Sequence, residues 1–130
     1  MGIVKQLLNW ISLYWLFEQI YVRSQTRYLK RNFAVCGKRV GIFGMVKVSH
    51  PENISIGNHS TLNHNCFLNA SAEIRIGNYC HISPGCQLHT GGLNIEEGYS
   101  GRKHQFAPIV IEDGVWLCSG CIITKGDQHN

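Results

Sequence analysis

Charged side chains are scarce in this chain. Asp, Glu, Lys and Arg make up 15% of its 130 residues, and twelve cations against eight carboxylates leave a net charge of +4. With 44% hydrophobic residues, such a composition excludes the disordered class and lacks the basic excess of a strong nucleic-acid binder, so no nucleic-acid partner is expected. The length allows one core and is too short for two independent domains. An uninterrupted apolar run is also missing: Asn9, Ser12, Glu18 and Gln19 break the N-terminal stretch well short of the roughly 20 apolar residues that a bilayer span needs. The same stretch follows a single lysine and has no small-residue cleavage site, so no secretory leader is read in it. The six cysteines are therefore expected as reduced thiols in a cytoplasmic protein, not as a disulfide framework.

The N-terminal segment does contain a helical pattern. Ile3, Leu7, Trp10, Tyr14, Phe17 and Tyr21 recur at helix spacing, with Ile11 and Leu13 widening the apolar face, and residues 1–34 are read as one long amphipathic helix. Its aromatic turns are followed by Arg23, Arg27, Lys30 and Arg31. That order suits a helix lying in a lipid headgroup layer at the inner face of a membrane, and equally one packing on its own domain or a sister subunit.

From Ile56 a different rhythm begins. The blocks "IGNHST", "LNHNCF", "LNASAE", "IGNYCH", "ISPGCQ", "IEDGVW", "LCSGCI" and "ITKGDQ" each open on an aliphatic residue: Ile56, Leu62, Leu68, Ile76, Ile82, Ile111, Leu117 and Ile123, with Leu88 opening the interrupted "LH". Four positions later comes a compact residue: Ser60, Cys66, Ala72, Cys80, Cys86, Val115 and Cys121. Neither a helix (3.6) nor an alternating strand (2.0) sustains a period of six. A parallel β-helix does, with three blocks closing one coil, the aliphatics filling the interior and the fifth position taking a small side chain. Residues 35–130 are assigned to this domain, about three coils in all, in an all-β fold with one preceding helix. Cys66, Cys80, Cys86 and Cys121 are then compact interior hydrophobes. "CSGC" (Cys118 to Cys121) opens no helix and has no second CxxC, which argues against a redox or zinc pair.

The blocks "IGNYCHISPGCQL" and "PIVIEDGVWLCSGCIITKG" resemble the hexapeptide-repeat acyltransferases, in particular the galactoside and maltose O-acetyltransferases and the acetyltransferases of surface-polysaccharide assembly. The resemblance covers about residues 54–126. It implies a left-handed β-helix, a homotrimer, and metal-free acetyl transfer from acetyl-CoA to a sugar hydroxyl of a surface polysaccharide, lipopolysaccharide or lipid-linked precursor. In that branch the general base is a histidine in a Thr-Gly-His run; the corresponding run here is "TGGL", with Gly92 or Leu93 at the histidine's place. Relatives also continue past the "ITKG" block with further coils, whereas this chain ends at "DQHN", which reads as a C-terminal truncation.

A coil with an aliphatic interior and shallow faces has no pocket, so chemistry needs something that projects from it. The loop from His89 to Ala107 does so, and its two ends hold the candidate bases. His104 in "GRKH" resembles a variant pattern among the polysaccharide acetyltransferases, and like charge from Arg102 and Lys103 favours the neutral imidazole that can accept a proton. His89, at the take-off corner, is the other candidate. Asn63 and Glu97 are candidate acceptor contacts, Glu96 a weaker one; Arg102 and Lys103 can meet CoA phosphates, and Trp116 can pack along the CoA cleft or at the subunit seam. Two other readings stay open. One is an inactive, shortened β-helix acting as an assembly partner. The other is a zinc enzyme of the γ-class carbonic anhydrase type using His59, His64 and His81 across a seam.

Overall fold

The computed structural model describes residues 2–94 and 103–126. One helix, α1 (Gly2–Asn32), leads into a coil of short strands: β1 (Val35–Cys36), β2 (Gly41–Phe43), β3 (Lys47–Ser49), β4 (Ile54–Ile56), β5 (Thr61–Asn63), β6 (Phe67–Asn69), β7 (Ile74–Ile76), β8 (His81–Ile82) and β9 (Gln87–His89). A hairpin, β10 (Gly91–Asn94) with β11 (Lys103–Phe106), interrupts it before β12 (Ile109–Ile111), β13 (Trp116–Leu117) and β14 (Ile122–Thr124) complete it. The strands form three parallel four-stranded sheets, β1-β4-β7-β12, β2-β5-β8-β13 and β3-β6-β9-β14, which are the three faces of a left-handed parallel β-helix.

The register explains the repeat. Thr61 pairs with His81, Ser55 with Arg75 and Phe67 with Gln87, so one turn takes 20 residues, three hexapeptides plus two at one corner. The nine block-opening aliphatics all point into one interior, as three columns with one on each sheet: Ile56–Ile76–Ile111, Leu62–Ile82–Leu117 and Leu68–Leu88–Ile123. Each fully buried leucine or isoleucine contributes about 1.5–3 kcal/mol. One more turn precedes the three read from Ile56 onward, because Cys36, Ile42 and Val48 sit under Ile56, Leu62 and Leu68. The sequence hides this turn because its corner glycine and aliphatics are spread through "VCGKRVGIFGMVKVS" without the Ile-Gly-Asn punctuation.

The fifth positions close two of the corners: Ser60 and Cys80 at one, Cys66 and Cys86 at the other, all buried. Their role is polar as well as steric, since each donates to a carbonyl of the following turn: Ser60 Oγ to Gly77 at 2.6 Å, Cys66 Sγ to Ser83 at 3.2 Å, Cys80 Sγ to Glu112 at 3.0 Å and Cys86 Sγ to Cys118 at 3.1 Å. Burial pushes the Cys66 and Cys86 thiols above their ordinary range, which keeps them protonated donors. The third corner corrects the block reading. Ala70 is the fully buried small residue there, and Ala72 is only half-buried, because the two extra residues of each turn fall at this corner and shift its inward position. Cys121 and Ile123, in the last described turn, are half-buried.

A ladder of side chains fixes the vertical spacing. Asn58 Oδ1 accepts the Lys38 N–H at 2.8 Å, Asn78 Oδ1 the Asn58 N–H at 2.7 Å, and Asp113 Oδ1 the Asn78 N–H at 2.7 Å. A β-carbon on Gly57 would collide with the Asn78 carboxamide and backbone, so the "GN" pair is dictated by the stacking of turns.

Candidate functional site

The projecting element is built at its base by Thr90. Its side chain is fully buried; Oγ1 donates to Asn69 O at 2.8 Å and accepts the Ala72 N–H at 3.0 Å, while its carbonyl accepts the Ala107 N–H at 3.0 Å. The chain therefore leaves and re-enters the coil through one residue tied to the turn below. The "TGGL" run does not by itself reveal this anchor; its signal is a small polar residue at the corner equivalent to Ala70. Beyond Thr90 the chain runs as an antiparallel ribbon, with Gly91 opposite Phe106, Gly92 opposite Gln105, Leu93 opposite His104 and Asn94 opposite Lys103. A side chain on Gly92 would run into that of Lys125, so this strand lies close along the last described turn.

His104 is thus on β11, exposed, its ring stacked 6.3 Å from that of Phe106 on the same face of the ribbon. Directly across from it stands Leu93. Residues directly opposite in an antiparallel pair have β-carbons about 4.5–5.5 Å apart, so positions 93 and 104 present their side chains to almost the same volume.

His89 is built differently. It is half-buried on the outer face of β9, its Nε2 is 2.9 Å from Gln87 Oε1, and its ring tilts against Phe67 at 5.1 Å. With the Gln87 oxygen accepting, Nε2 carries the hydrogen and Nδ1 of the neutral ring is the acceptor. Both ends of the excursion thus hold an imidazole, one fixed on the coil and one carried by the ribbon.

The other candidate residues separate. The Asn63 carboxamide donates to Ile82 O at 2.9 Å, a bond between turns that takes up one of its donors while Oδ1 stays available to a ligand. Trp116 is 70% exposed, yet its indole N–H donates to Ser83 Oγ at 2.9 Å, so the ring stands rigid on the outer face of β13. Glu96, Glu97 and Arg102 lie outside the described residues; Lys103 enters only through its strand pairing. The three histidines of the zinc reading occupy separate outward positions: His59 stacks on Tyr79 at 4.9 Å, His81 Nδ1 is 3.0 Å from Thr61 Oγ1, and His64 is exposed. Among the described residues, no three His, Cys, Asp or Glu side chains converge within the chain as a metal site requires. Cys118 is exposed and unbridged.

No family model matches the chain. Among curated proteins it is similar to nodulation protein L of Rhizobium meliloti (strain 1021), with 33% identity over 75 residues, 57% of this chain and 41% of that protein. The chain thus spans less than half the length of that relative. Among solved structures, a hexapeptide-repeat-containing acetyltransferase of Vibrio cholerae O1 biovar eltor, complexed with acetyl coenzyme A, superposes with a TM-score of 0.71 at 28% identity, over 79% of this chain and 58% of that one. A maltose O-acetyltransferase from Clostridium difficile 630 does so with a TM-score of 0.69 at 25% identity, over 85% of this chain and 68% of that one.

Proposed function

We propose that this chain, one of the hexapeptide-repeat acetyltransferases by repeat, fold and similarity, transfers an acetyl group from acetyl-CoA to a hydroxyl of a sugar in a surface glycan or its lipid-linked precursor, with His104 as general base. The observation that carries this reading is the ribbon register. The resemblance puts a base histidine at position 92 or 93, this chain has glycine and leucine there, and the residue directly opposite Leu93 is a histidine. An imidazole supplied from β11 instead of β10 reaches nearly the same space, so the chemistry survives the substitution in "TGGL".

The reaction follows from these parts. A neutral His104 nitrogen accepts the hydroxyl proton as the sugar oxygen attacks the thioester carbonyl. The tetrahedral intermediate is held at its oxyanion by a backbone N–H, collapses with cleavage of the carbon–sulfur bond, and the departing thiolate takes the proton back from the imidazolium. Asn63 Oδ1 and Glu97 are the proposed acceptor contacts; Trp116, Arg102 and Lys103 are proposed along the CoA chain and phosphates. Neighbouring subunits of a homotrimer supply the facing wall, and the CoA donor sets the work on the cytoplasmic side.

His104→Leu is expected to lower kcat by about 10²- to 10⁴-fold in a thioester-release assay with a glycan acceptor. Adding Leu93→His to that variant is expected to restore a large part of the loss, an outcome that a merely structural His104 does not produce. Full activity in His104→Leu, together with collapse in His89→Ala, moves the base to the Gln87-oriented imidazole on β9. No acetyl-CoA binding by the folded chain refutes the transferase reading in favour of an assembly role.

A further inference from the structure

The helix α1 carries an apolar surface that the coil does not use. Leu29 is its single buried residue; beside it Phe33 is buried, and the Gln25 side chain donates to Gly44 O at 3.0 Å and accepts the Val46 N–H at 3.1 Å. Toward the N-terminus from Val22 the helix leaves the coil. Ile3, Leu7, Leu8, Trp10, Tyr14, Trp15, Phe17 and Tyr21 are all between 57% and 74% exposed. That is on the order of 1,000 Å² of apolar area, well above the largest patch usual on a soluble monomer.

Charge decides what covers it. Lys5, Arg23, Arg27, Lys30 and Arg31 against Glu18 give this helix a net charge of +4, the whole net charge of the chain, and the remaining residues balance at seven of each sign. A second copy laid parallel to it would bring Arg23, Arg27, Lys30 and Arg31 of each together, with one carboxylate on each side to offset the repulsion. Composition points the same way. A helix–helix seam is built from aliphatic residues at heptad spacing, whereas here Trp10, Tyr14, Trp15, Phe17 and Tyr21 stand exposed among the aliphatics, the residue types that settle at the headgroup level of a bilayer. No described helix is long and apolar enough to cross a membrane. Asn9, Ser12 and Gln19 would in any case be stranded in the hydrocarbon.

The geometry points to α1 as an anionic-lipid anchor: its aromatic N-terminal two-thirds lie in the headgroup layer, and Arg23, Arg27, Lys30 and Arg31 meet lipid phosphates where the helix joins the coil. This surface stands independently of the transfer chemistry. If both hold, the transferase is tethered where a lipid-linked sugar presents its hydroxyl.

The test is co-sedimentation of the full chain with vesicles of phosphatidylcholine alone or mixed with phosphatidylglycerol, with the oligomeric state measured by analytical ultracentrifugation. Binding is expected to the mixed vesicles, weakening with added salt. The exposed triple variant Arg23→Gln, Arg27→Gln, Lys30→Gln is expected to bind about 10²-fold more weakly, at roughly a fivefold factor per cation. Trp10→Ala with Trp15→Ala and Phe17→Ala is expected to abolish binding without changing the oligomeric state. A wild-type chain that stays in the supernatant with anionic vesicles overturns the proposal, as does binding indifferent to the cation triple. Dissociation of an oligomer by the aromatic triple, with no vesicle binding, assigns the surface to a second copy instead.

Discussion

Thr90 offers a sharp test of how the excursion is held. Replacing it with valine keeps the shape and β-branching but removes a hydroxyl that is fully buried and makes two bonds, to Asn69 O at 2.8 Å and from the Ala72 N–H at 3.0 Å. The two losses differ in size. Asn69 O still accepts the Thr90 N–H at 3.1 Å, so losing the hydroxyl donor costs about 1 kcal/mol. The Ala72 N–H is left facing a methyl group, and orphaning such a donor costs about 1–3 kcal/mol. Some of this is offset by the added apolar methyl, leaving about 2–3 kcal/mol of lost stability. Thr90→Ser keeps both bonds and loses one methyl, a cost of about 1 kcal/mol. Urea unfolding followed by far-ultraviolet circular dichroism reads both variants. The valine variant is expected to have the lower midpoint, and its amides at residues 72 and 107 are expected to exchange faster. If serine proves the more damaging substitution, or valine is neutral, the anchoring argument is refuted and the corner is held by packing alone.

Other outcomes follow from the same coordinates. Leu68→Ala, fully buried in the central turns, is expected to cost about 2–5 kcal/mol, against under 0.5 for Val110→Ala, which points outward on β12; chemical denaturation compares them. Gly57→Ala forces a β-carbon into the Asn78 carboxamide and is expected to destabilise by about 1–3 kcal/mol, seen as a lowered Tm. Among the thiols, Cys118 is expected to alkylate fast in the folded protein, while Cys66, Cys80 and Cys86 react only on unfolding, as mass spectrometry of iodoacetamide-treated protein reports. The raised thiols have a sign in pH as well. Cys66 and Cys86 are held protonated by the fold, so their stability contribution is complete below the ordinary thiol range of about 8.5 and is lost as the pH climbs through their higher folded values. Unfolding midpoints are expected to fall from about pH 8.5 upward, and Cys66→Ala with Cys86→Ala is expected to flatten that fall.

The coil was legible in the chain because a side chain every six residues must either enter the interior or not, and Ile56, Leu62, Leu68 and their successors declare which. The excursion was legible as the place where that rhythm stops. What stayed hidden was local to the stacking: the first turn, whose corner has no Ile-Gly-Asn sequence; Ala70 in place of Ala72 at the lengthened corner; and Thr90 as an anchor, since its partners Asn69 and Ala72 are about twenty residues away in the chain.

The candidate site divides along the same line. From the sequence alone come the two histidines at the ends of a loop, the position where a relative's base is lacking, and a helix whose composition is aromatic then cationic. Tertiary structure alone decided that Leu93 and His104 face one another, since antiparallel register is set by pairing across the ribbon and not by neighbours in the chain. It also decided that the coil covers just the last turns of the helix. Periodicity reports which way a side chain points; which surface it meets there depends on how successive turns align, and that alignment is a property of the folded chain.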